Sequence, residues 1–72
     1  MAIHDNPKKA IKATLIMFGA LRLGPYSIGE ISDLTGYNYN KVRYYVKAFK
    51  ELKELFEVKT IQTWPRKYVI EE

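Results

Sequence analysis

Between Ser27 and Gly36 the chain leaves room for only two turns of helix, and a second, longer helix follows at once. Ser27-Ile28-Gly29-Glu30 is a capping box: the Ser hydroxyl accepts from the backbone N–H of Glu30, and the Glu carboxylate reaches back to the cap. Tyr26 before the cap and Ile31 four residues after it have the spacing of a hydrophobic staple. Ile28, Ile31 and Leu34 line one face, and Gly36 ends this helix, expected over 27–35. Asn38 then caps a helix expected over 39–55. At about 100° per residue, Val42, Tyr45, Val46, Phe49, Leu52 and Phe56 fall in one apolar arc. Asn40, Arg43, Tyr44 and Lys47 fall on the opposite arc, near the helix start, and Glu51 and Glu54 continue that arc toward its end. The outer face is therefore basic only in its first half.

The flanking segments complete a single domain over 1–72. Residues 1–6 read as a loose terminus, and Asn6-Pro7 as a helix start. The first helix is expected over 7–23, with Ile11, Leu15, Phe18 and Arg22 on one stripe flanked by Thr14, Leu21 and the alanines. Gly24-Pro25 stops it, the glycine expected to supply a left-handed cap. Lys8, Lys9 and Lys12 lie in its first two turns, where the macrodipole disfavours cations, and read as solvated surface. Past Phe56 the apolar period shortens from about 3.6 to about 2 residues, so 56–70 reads as a β-hairpin turning at Thr63-Trp64-Pro65-Arg66. The expected fold class is thus mainly α with a small β-hairpin, an α+β domain of three helices. A lone hairpin is marginal in water and must pack on the helices.

Charge is distributed unevenly. The net charge is +4, yet Asn38 to Lys50 holds Lys41, Arg43, Lys47 and Lys50 with no acid, and Lys59 to Ile70 holds Lys59, Arg66 and Lys67 with no acid. A molecule with one positive face attracts polyanions. Catalytic chemistry has little support: His4 is the one histidine and no serine is flanked by a plausible base. No acids are paired at metal-ligand spacing, there is no cysteine, and the glycines punctuate elements rather than form a phosphate loop. The expectation is a non-enzyme with no catalytic residue, no metal and no cofactor. The run Leu15 to Leu21 is too short to span a membrane and no secretory signal is evident, so the expected location is the cytoplasm. The lack of Cys, with many Tyr, Ile and Lys, would suit a thermophile or one of its mobile elements.

Three helices, a tight Thr35-Gly36 turn between the second and third, a polar cap, Val42 and Arg43 early in the third helix, and a trailing hairpin resemble the winged helix-turn-helix family over nearly the whole chain. The resemblance implies a three-helix winged helix-turn-helix domain that binds double-stranded DNA sequence-specifically, as a small transcriptional regulator acting by site occupancy. The third helix would be the recognition helix, bringing Tyr39, Asn40, Arg43, Tyr44 and Lys47 to base edges or flanking phosphates, with Lys41 and Lys50 beside them on phosphates. Arg pairs bidentately with guanine, and Asn with adenine. The hairpin would be the wing, with Lys59, Trp64, Arg66 and Lys67 against backbone or minor groove. No small-molecule ligand is expected, and a homodimer is left open, with the first helix or the hairpin as its contact. Two rivals stand beside this reading. The six Tyr, three Phe and one Trp would also suit a protein–protein interaction module within a larger complex. Stacking on Tyr44 and Trp64 would suit an RNA or single-strand binder. Tyr44 could instead pack beside Tyr45, Trp64 fold back on the hairpin, and Arg43 pair with Glu30 or Asp33.

Overall fold

The computed structural model describes residues 7–71; the expected loose terminus, Asn6 as a helix cap and His4 lie outside them. The described elements are α1 (Pro7–Leu23), β1 (Tyr26–Ser27), α2 (Ile28–Thr35), α3 (Tyr39–Glu51), β2 (Glu57–Ile61) and β3 (Lys67–Glu71). Three helices and a three-stranded antiparallel sheet in the order β1-β3-β2 make this an α+β fold.

Local chemistry sets the first turns as the sequence predicts. Ser27 Oγ accepts from the Glu30 N–H at 3.2 Å, and Glu30 Oε1 accepts from the Ser27 N–H at 2.8 Å, closing both halves of the capping box. Gly36 takes φ 79°, the left-handed conformation that glycine adopts at least cost, and its N–H donates to Ser32 O at 2.9 Å. The turn is tied twice more, by the Ser32 hydroxyl donating to Tyr37 O at 2.6 Å and by Tyr37 N–H donating to Thr35 Oγ1 at 3.3 Å. Asn38 Oδ1 accepts from Lys41 N–H at 2.8 Å, capping α3. With these caps satisfied on both sides of a short linker, the relative direction of α2 and α3 is fixed by backbone bonds rather than by packing alone.

The core is built from α1, α2, α3 and β3. Met17, Leu21, Ile31 and Val42 are fully buried, with Ala20, Val46, Phe49 and Ile70 around them. Phe18, Phe49 and Phe56 form a ring cluster with centroids 5.4 to 6.2 Å apart.

Four expectations need correction. On α1 the buried face is Ala13, Met17, Ala20 and Leu21, not the Ile11-Leu15-Phe18-Arg22 stripe; Ile11, Leu15 and Arg22 are exposed and Phe18 is half-buried. Ala13 and Ala20 flank the large Met17 and Leu21 on that face, and their small side chains let neighbouring elements approach the helix closely. On α2, Leu34 is exposed although it shares a stripe with Ile31. Gly24 is not in the left-handed region; its need is space, since a Cβ there would lie 2.7 Å from Tyr68 O and 3.0 Å from Tyr26 N. Finally, α3 stops at Glu51, four residues early, with Leu52 N–H donating to Phe49 O at 3.1 Å. A helix continued to Phe56 would carry that ring about 10 Å along the axis from Phe49. The turn after Leu52 folds it back instead, to 5.5 Å from the Phe49 ring and 5.4 Å from Phe18.

The strand β1 is an addition to the expected hairpin. Tyr26 pairs with Tyr68 and Ser27 with Lys67, so the α1–α2 connection forms an outer strand of the sheet. In the hairpin proper, Glu57 pairs with Glu71, Lys59 with Val69 and Ile61 with Lys67. The register fixes where the hairpin tip lies relative to the start of α2.

Candidate functional site

The first two turns of α3 present a polar, cationic face. Val42, Val46 and Phe49 are drawn into the core, and the helical period therefore turns Asn40, Arg43, Tyr44 and Lys47 outward, all exposed. Arg43 and Lys47 form no ion pair with a described residue; Glu30, an anticipated partner of Arg43, faces Lys67 instead. Tyr44 does meet Tyr45 edge to face at a centroid distance of 5.9 Å, yet it stays 70% exposed and keeps an open ring face. Lys41 and Lys50 are held against aromatic rings, Lys41 Nζ 4.4 Å from the Tyr37 centroid and Lys50 Nζ 5.2 Å from that of Tyr68. Both cations are thereby held to the protein surface at the helix flanks. Further along, Glu51 shares a shallow hollow with Tyr44, Lys47 and Ala48, which ends the cationic stretch.

The hairpin contributes unequally. Lys59 Nζ lies 4.0 Å from Glu71, and Lys67 Nζ 3.8 Å from Glu30. Pairs this exposed contribute little stability and exchange readily. Arg66 is exposed and has no ion partner among the described residues. Trp64 is 92% exposed, so it does not fold back on the hairpin. The tip is shaped by Thr63, whose N–H donates to Ile61 O at 2.8 Å and whose hydroxyl donates to Pro65 O at 2.9 Å.

These two regions adjoin. A cleft of about 420 Å³ is lined by Gly29, Tyr39, Trp64, Pro65 and Arg66, with Ser27, Ile28 and Tyr68 at its base. Tyr39 at the start of α3 thus lies across a cleft from the hairpin tip, and the helix face and tip form one surface. Gly29 and Pro65 were not anticipated in this surface. Their place depends on the β1–β3 pairing, and a two-residue strand carries no readable period.

Glu30 follows Gly29, which lines the cleft. Its carboxyl is held below the usual glutamate range, chiefly by the Ser27 backbone N–H, against a smaller desolvation effect and with help from Lys67 and the Ser27 hydroxyl. The acid is thus tied up in the cap and in Lys67, away from Arg43. Among the described residues no three His, Asp or Glu side chains gather as a metal site, and no helix is long and apolar enough to cross a membrane. Set beside known protein families, curated proteins and solved structures, the chain matches none of them, so the meaning of this surface is argued from its geometry and chemistry.

Proposed function

We propose that this chain is a winged helix-turn-helix protein that binds double-stranded DNA sequence-specifically and regulates transcription inside the cell by occupying its site. The observation that carries the proposal is the outward placement of Arg43 and Lys47, without an ion partner among the described residues, beside Asn40 and Tyr44 on one helix face. An amphipathic helix of this kind fits the major groove, where Arg donates two bonds to guanine and Asn exchanges two with adenine. The hairpin supports the reading as a wing: Arg66 and Trp64 project from its tip beside Tyr39, in position to meet backbone or minor groove. Lys41 and Lys50 at the helix flanks serve phosphates, as do Lys59 and Lys67 once they exchange their carboxylates for them.

Selection of bound sequences from a random duplex pool supplies the cognate site. Arg43→Ala then weakens cognate binding by about 1–3 kcal/mol and flattens preference over scrambled duplex. An equal loss on both duplexes would make Arg43 a phosphate contact only. Failure of micromolar protein to retard random duplex at low salt would overturn the proposal. A single-strand reading draws on exposed Trp64 and Tyr44, and competition by an unpaired oligonucleotide better than by duplex would favour it.

A further inference from the structure

The face of α1 turned away from the core carries an apolar stripe among the exposed cations Lys8, Lys12 and Arg22. Ile11, Leu15, Ile16 and Leu23 lie along it, and Leu34 at the end of α2 extends it; Leu15 is 65% and Leu23 75% exposed. Leu15, Ile16, Leu23 and Leu34 border an open groove of about 640 Å³ together with Gly19 and the cation Arg22. Glycine weakens a helix interior relative to alanine. Nothing among the described residues requires one here, because a Cβ on Gly19 would meet none of their atoms within 4 Å. At about 100° per residue, Leu15 and Gly19 lie one turn apart and within about 40° of each other. The stripe thus carries a protruding side chain and a notch side by side.

We propose that this face is self-complementary and docks a second copy of the chain, α1 against α1 in antiparallel sense, with Leu15 of each copy seated on Gly19 of the other. Three observations select a second copy over other occupants. A two-fold axis requires that what residue i offers to j, j offers to i, and a knob one turn from its own hole on the same helix meets that requirement. The area suffices: with about 200 Å² for a fully exposed Leu or Ile, the five residues expose roughly 590 Å² per copy. Fully covered in two copies they bury up to about 1,200 Å², above the approximately 1,000 Å² that a specific interface needs. Charge also fits. Lys12 is exposed on the Leu23 side of the stripe, and the antiparallel arrangement carries it toward the carbonyl end of α2 in the second copy, where Leu34 and Thr35 border the groove and the neighbouring Asp33 is exposed. Neither Lys12 nor Asp33 has an ion partner among the described residues.

Sedimentation equilibrium of the full chain without DNA tests this separately from the DNA-binding proposal. At about 100 µM the expected mass is twice the 8.4 kDa of the chain. Leu15→Glu, at an exposed position, and Gly19→Gln, which fills the notch where the isolated chain has open space, should each return the mass to 8.4 kDa with an unchanged far-ultraviolet dichroism spectrum. Lys12→Asp should raise the dissociation constant about tenfold, and Asp33→Lys added to it should restore most of the loss. A wild-type mass of 8.4 kDa throughout overturns the proposal, as does a dimer that survives both Leu15→Glu and Gly19→Gln.

Discussion

Glu30 serves the α2 cap and the sheet with one carboxylate. It accepts from the Ser27 N–H at 2.8 Å and faces Lys67 Nζ at 3.8 Å, so one side chain ties the start of α2 to β3. The same contacts make it pH-sensitive. Its carboxyl titrates below the usual range when folded, with the Ser27 backbone N–H as the main cause. A depressed folded pKa contributes stability that is present above the unfolded value and is lost as pH falls through the folded one. The thermal midpoint should therefore drop on acidification below about pH 4. Glu30→Gln, which keeps an acceptor but cannot titrate, should show a shallower drop over the same window. Parallel curves for the two proteins, measured by dichroism melts, would remove Glu30 from the acid response. Arg43 shows the opposite design at this scale: no described carboxylate holds it, and its fork of donors stays open.

The joint between α1, β1 and β3 is the tightest point among the elements. All three atoms nearest a Cβ on Gly24 are backbone, Tyr68 O, Tyr26 N and Leu21 O, at 2.7, 3.0 and 3.2 Å. None can move aside as a side-chain tip could. Gly24→Ala should destabilise the fold by about 1–3 kcal/mol in urea unfolding, with the loss of β1–β3 pairing visible as faster amide exchange at Tyr26 and Tyr68. An unchanged midpoint would show that the joint has slack. Elements closed by their own neighbours were legible in the sequence. The α1 range and the start of α3 agree with expectation, α2 differs only in that Ser27 is its cap, and Gly36 adopts the turn read for it. What depends on distant partners was not legible. The choice of Ala13 and Ala20 over Ile11 and Leu15 for burial is made by what packs on α1, and the α3 stop at Glu51 by the pull of Phe56 to Phe18. The outward face of α3 was readable because a strong 3.6-residue period sorts it; the engagement of Lys67 with Glu30 was not, because it follows from register.

For the whole molecule, α3 and the hairpin both carry exposed cations, while Glu30 and Glu71 are engaged by lysines of the chain. If binding neutralises about five phosphates, log K should fall against log salt with a slope near −4 to −5. Affinity indifferent to salt would contradict the electrostatic part of the proposed function. Because Lys59 and Lys67 have internal acid partners, the slope should sit below the full count of seven cations on α3 and the hairpin.

The strand order β1-β3-β2 also has a temporal side. β3 is the last of the six elements to leave the ribosome, yet it is the strand that both others need as a partner. Neither β1 nor β2 can close its backbone ladder on a nascent chain that lacks residues 67–71, and Ile70 is missing from the core until then. Local helices can form early, but long-range strand pairing is slow. The surface that joins Tyr39 to Trp64 and Arg66 therefore assembles only when translation has passed β3.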